Sequence, residues 1–106
     1  MKTPHRWVLD FRKDARQDLH QIPTRSERAA VLRTIRVLLE SDNPYAVSGI
    51  KKVQGNKFND VWRQRQGDYR ILFSLATQER IHNKYSYKGT LSVIAILRRN
   101  EKTYRP

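Results

Sequence analysis

No cysteine occurs among the 106 residues, so disulfides and thiolate chemistry are excluded. The three histidines, His5, His20 and His82, are isolated and show no ligand spacing, which argues against zinc. No apolar run approaches a membrane span, and the start, MKTPHRWVLDF, is charged but lacks the apolar stretch of a signal peptide. The expectation is a soluble, cytoplasmic protein with no membrane partner. Repeats, linkers and low-complexity segments are also missing. The length suits one domain over 1–106 with a single modest core.

Negative charge is the scarcest quantity. Ten Asp+Glu stand against 22 Lys+Arg, a formal charge of +12. Such an excess repels itself within a compact fold and attracts polyanions, so nucleic acid or an acidic protein is the expected partner.

What is present is organised around residues 61–73, VWRQRQGDYRILF. Two runs of alternating apolar and polar residues meet at Gly67-Asp68, the signature of a β-hairpin with a two-residue type II′ turn. That turn sets Gln66 opposite Tyr69, Arg65 opposite Arg70 and Arg63 opposite Leu72. Opposed residues share a face. Arg63, Arg65 and Arg70 therefore share one face, and Trp62, Gln64, Tyr69, Ile71, Phe73 and Leu75 the other. Like charges opposed across strands are unfavourable, and an anion such as phosphate would relieve the repulsion and fit the guanidinium fork. A solvated face with arginine stems lying on the sheet is the competing reading. A three-residue turn would move Arg70 to the other face.

Elsewhere, 6–11 alternates and predicts a first strand, and 12–22 places Ala15, Leu19 and Ile22 on one side of a short helix ended by Pro23. Thr24 and Glu27 form a capping-box pattern. Behind them Val31, Leu32, Ile35, Leu38 and Leu39 predict a helix over 25–40, with its arginines off the apolar stripe. Residues 45–60 read as a loop carrying Lys51, Lys52 and Lys57. The segment 81–87 reads as a short strand or a long hairpin arm, with a turn at 88–90. The run 91–97, LSVIAIL, suits a central strand covered on both faces. Two helices before a mostly antiparallel sheet make the class α+β.

The tail adds Arg98, Arg99, Lys102, Tyr104 and Arg105. If the last strand is central, Arg98 or Arg99 ends beside the hairpin face, and Tyr104 can fold over it. Nearby positive charge would lower the phenol's pKa and suit a base. A stacking platform or a tail anchor are the alternatives. Tyr104→Phe separates them, because it keeps the ring and loses the hydroxyl. No set of converging carboxylates suggests metal-dependent phosphodiester chemistry, and no cofactor is expected. Metal-free RNA cleavage by an adjacent 2′-hydroxyl needs only basic and phenolic groups on a rigid sheet.

The segments WVLDF, KKVQG, VWRQRQGDYRILF and the ending RRNEKTYR together resemble the RelE/ParE superfamily of bacterial type II toxins. The resemblance covers nearly the whole chain. It implies two N-terminal helices packed on a mostly antiparallel four- to five-stranded sheet. For RelE-like members it implies metal-independent cleavage of messenger RNA in the ribosomal 30S A site, and an acidic antitoxin as partner. The family's catalytic positions fall on Arg63, Arg65, Arg70, Arg98 and Tyr104, with Arg99 replacing Arg98 if the register slips. Lys51, Lys52, Lys57, Arg99, Lys102 and Arg105 are the expected RNA contacts. Val61 stands where RelE has a lysine, and Lys51, Lys52 and Lys57 are the candidates to replace it. A ParE-like inhibitor of DNA gyrase and a non-catalytic ribosome- or RNA-binding module are the competing functions.

Overall fold

The computed structural model describes residues 5–53 and 60–98. Strand β1 is Trp7–Phe11, followed by helices α1, Lys13–His20, and α2, Arg25–Glu40. Helix α2 starts where its cap predicts. The Thr24 Oγ1 accepts from the Glu27 N–H at 3.2 Å and donates to the Glu27 carboxylate at 2.7 Å. This closes one of the four unpaired N–H groups of the first turn. Thr24→Ala is expected to lower stability by ~1 kcal/mol in chemical denaturation.

Val31, Ile35, Leu38 and Leu39 of α2 are buried against the sheet. Leu32, expected in that stripe, is 46% exposed because its angular position falls at the stripe's edge. Ala15 of α1 and Ile22 in the turn after it fill the space between the helices and the sheet. Arg28 does more than face solvent: its Nη1 donates to the Ile22 carbonyl and so ties the interhelical turn to α2.

After a 3₁₀ turn at Pro44–Ala46 come β2, Lys51–Lys52; β3, Trp62–Gln66; and β4, Tyr69–Ala76. The chain then forms β5, Arg80–His82; β6, Tyr85–Tyr87; and β7, Gly89–Arg98. The main sheet has the order β1-β7-β4-β3-β2, antiparallel except for β1 beside β7. The region expected to be a loop thus supplies a short strand, β2. The turn expected at 88–90 lies partly inside β7, because Gly89 and Thr90 pair with Trp7 and Val8 of β1.

One face of the sheet carries the helices. Phe73, Ile71, Leu91 and Val93 are fully buried there, each side chain stabilising the fold by ~1.5–3 kcal/mol. Tyr45 stacks on Trp62 with ring centroids 4.2 Å apart, closing this layer beside β3. Trp7 is buried and satisfies its indole N–H on the Ser41 carbonyl at 2.8 Å, pinning β1 to the end of α2. The other face is the outer face. Among the described residues no helix is long and apolar enough to cross a membrane.

One irregularity matters for the site. The pairing of β4 with β7 shifts at Leu72/Phe73: Leu72 opposes Ala95, whereas Phe73 opposes Val93. Ile94 is the extra residue of a β-bulge. Two bonds hold β7 on either side of it. The Arg12 N–H donates to the Val93 carbonyl at 3.1 Å, and the Asp18 carboxylate accepts from the Ile96 N–H at 2.9 Å.

Candidate functional site

The β3–β4 hairpin has the expected register: Gln66 opposes Tyr69, Arg65 opposes Arg70, and Arg63 opposes Leu72. Gly67 has φ +58, while Asp68 is absent from the positive-φ residues, the combination a type II′ turn needs. Tyr69, Ile71 and Phe73 are buried toward the helices, which puts Arg63, Arg65 and Arg70 together on the outer face.

The row Arg63–Leu72–Ala95 runs across three strands, and Leu72 and Ala95 are almost fully buried although neither described helix packs on that face. Arg65 and Arg70, directly opposed, have Cβ atoms ~5 Å apart, and Arg63 lies ~7 Å along the strand from Arg65. Partial burial and the neighbouring guanidiniums of Arg65 and Arg70 push the Arg63 pKa down from its usual value. Among the described residues none of the three is paired with a carboxylate. The buried Nε of Arg70 has no hydrogen-bond partner among them. Among the described residues the patch is therefore a set of donors without a carboxylate partner, held in a rigid frame and suited to bind an anion and to stabilise charge that develops on it.

Lys51 joins this patch. It opposes Arg63 in the β2–β3 ladder and so shares the outer face. Lys52 opposes Trp62 and belongs to the other side. A two-residue strand carries no periodicity, so the sequence offers no way to tell the two lysines apart.

Arg98 is not brought to the patch. It opposes Tyr69, a residue of the helix-facing side. The bulge at Ile94 is the physical reason: uninterrupted alternation from Ser92 would have left Arg98 on the outer face, and the extra residue reverses it. The Tyr69 hydroxyl, against which the guanidinium lies, pushes the Arg98 pKa further up, helped by the charges of Glu27 and Asp68. Arg98 borders a cleft of about 400 Å³ between the α1–α2 turn and the end of β7, on the side away from the arginine patch. Lys57, Arg99, Lys102, Tyr104 and Arg105 lie outside the described residues. Among the described residues no group of three or more His, Asp or Glu side chains could hold a metal ion.

Two helices on one face of a five-stranded, mostly antiparallel sheet, with the N-terminal strand parallel to the last, is the RelE-like α+β fold. The chain is similar to one in the RelBE2 toxin-antitoxin complex from Mycobacterium tuberculosis, with a TM-score of 0.60 and 22% identity over 95% of this chain and 100% of that one. It is also similar to a chain of the archaeal RelE-RelB complex from Pyrococcus horikoshii OT3, with a TM-score of 0.61 and 18% identity over 91% of this chain and 98% of that one. At this identity the likeness establishes the fold. No protein-family profile and no curated protein matches the sequence.

Proposed function

We propose that this protein is the toxin of a type II toxin–antitoxin system and acts as an endoribonuclease on messenger RNA in the ribosomal A site. The observation that carries the reading is the patch of Arg63, Arg65, Arg70 and Lys51 on one face of the sheet, with no carboxylate paired to the arginines among the described residues. Both similar structures come from toxin–antitoxin complexes, which supports the toxin role and a cognate antitoxin. A formal charge of +12 suits an acidic antitoxin and a ribosomal target alike.

In the reaction the 2′-hydroxyl oxygen attacks the adjacent phosphorus as the bond from phosphorus to the 5′-oxygen breaks. The products are a 2′,3′-cyclic phosphate and a free 5′-hydroxyl. A base takes the 2′-hydroxyl proton and an acid protonates the leaving oxygen. Arg63, Arg65 and Arg70 hold the charge that builds on the phosphorane oxygens. Lys51, beside Arg63 on the same face, is the described lysine placed to take part in proton transfer. Tyr104 and Arg99, with Arg98 as the competing position, complete the proposed set, and Lys52, Lys57, Lys102 and Arg105 are proposed contacts to the RNA.

Primer extension on messenger RNA, with and without ribosomes, tests the reading. Cuts that need ribosomes are expected. No cleavage in either case, together with loss of gyrase supercoiling, would replace it by the gyrase-inhibitor reading. Ribosome binding is expected to weaken steeply with salt, with a slope in log K against log salt of about −0.7 to −0.9 for each phosphate neutralised. A flat dependence would remove the basic face from the docking surface.

A further inference from the structure

The β5–β6 hairpin takes no part in the main sheet. β4 and β7 pair as far as Ala76 and Thr90, and beyond that point β5 and β6 pair with each other. A lone two-stranded hairpin is marginal in water, and this one adds nothing to the buried core. Its Ile81 is 76% exposed. Its turn nonetheless has a specific form. Asn83 and Lys84 both have positive φ, 50° and 71°, as a type I′ turn requires. At the base, the Lys88 N–H donates to the Arg6 carbonyl at 2.9 Å and Arg80 Nη1 donates to Thr90 Oγ1 at 3.1 Å.

The register sorts its side chains. Arg80 opposes Tyr87 and His82 opposes Tyr85, so both tyrosines, the arginine and the histidine share one face. Lys84 at the tip and Lys88 at the base are exposed. Thr90 belongs to the outer face of the main sheet, since Leu91 beside it is buried on the helix side. Arg80 therefore fastens the hairpin to the same side that carries the arginine patch. Ala76 lies six positions beyond Arg70 along β4, which puts the hairpin base ~20 Å from the patch.

We infer that this hairpin is a second RNA-binding element, with Tyr85 and Tyr87 as stacking platforms for unpaired bases and Arg80, Lys84 and Lys88 as phosphate contacts. An acidic protein segment would use the cations but has no use for the two aromatic rings that share a face with Arg80. Single-stranded RNA uses both, base on ring and phosphate on cation. The inference extends the proposed function by adding a contact remote from the chemistry, and it does not require that the protein cleave RNA.

The test is fluorescence anisotropy of a labelled oligouridylate with the full chain. The double variant Tyr85→Ala/Tyr87→Ala is expected to bind ~10-fold more weakly, and Tyr85→Phe/Tyr87→Phe to bind as wild type. Lys84→Ala/Lys88→Ala is expected to reduce the salt slope by ~0.7 for each lysine. Photo-crosslinking of the wild-type chain to thiouridine-containing RNA is expected to label the peptide 80–88, a readout that holds even if the alanine variant fails to fold. Wild-type affinity in a folded alanine variant would overturn the inference. So would crosslinks confined to other peptides, or an equal loss of binding to polyglutamate, which would assign the hairpin to an acidic protein. Ribosome-dependent cleavage is measured separately, so its absence would sink the proposed function without touching this result.

Discussion

Arg70→Ala and Arg63→Ala are each expected to lower the single-turnover rate of messenger RNA cleavage on programmed ribosomes by ~10²–10³, the usual cost of removing one preorganised donor to a developing oxyanion. The domain should stay folded. Neither guanidinium is paired with a carboxylate among the described residues, and removing one member of the cluster relieves repulsion on the others. Leu72 and Ala95 beside the arginines are buried, so a small loss of packing is expected, within a few degrees of melting temperature. Arg70→Lys keeps the charge but loses the planar fork and should recover only part of the rate. Near-wild-type cleavage by the alanine variants would remove the arginines from the chemistry. A collapse of the melting temperature would mean that they hold the sheet together instead.

Gly89→Ala is expected to be the most destabilising glycine-to-alanine change among the described residues. A Cβ at Gly89 would stand 1.9 Å from the Ala76 carbonyl oxygen and 2.9 Å from its carbon. Both atoms are backbone of the neighbouring strand, so no side-chain rotation can make room. Overpacking usually costs ~1–3 kcal/mol, and a clash with a paired strand belongs at or above the top of that range. For a domain of this size a loss of ~3 kcal/mol lowers the melting temperature by ~12 °C or more. Gly67→Ala is the matched control. Its Cβ would meet nothing within 4 Å, and only the φ of +58 opposes it, so ~1 kcal/mol is expected. Calorimetry on the pair measures both. If Gly89→Ala melts with Gly67→Ala, the contact between β4 and β7 at the hairpin base is looser than described.

The parts of this protein that are legible in the sequence are those decided by neighbours in the chain. The arginine face follows from one turn: Gly67-Asp68 sets the pairing parity, and alternation does the rest. Thr24 and Glu27 mark the start of α2 because a cap is a contact three residues long. The side of Arg98 is not legible, because it depends on a bulge held by Asp18 from α1 and by the Arg12 N–H just after β1, partners distant in sequence. Lys51 is hidden for a different reason: β2 is too short to show a period. The β5–β6 hairpin is half visible. Asn83-Lys84 lacks the glycine that usually marks a type I′ turn, and its positive φ values are evident only in the folded chain.

The strand that binds the sheet together is also the last of the described strands to be made. β7 lies between β1 and β4, one partner from the first residues of the chain and the other from its middle. Synthesis delivers a chain from its N-terminus, so β1, both helices and the arginine hairpin emerge before anything can join them into one sheet. Pairing β1 with β7 closes a loop of almost the whole chain, which makes folding late and slow compared with a helical bundle of this length. A nascent copy thus carries its arginines on an unsupported ribbon until the C-terminal strand is free. In the proposed function, that strand order would withhold the assembled arginine face until β7 has been made.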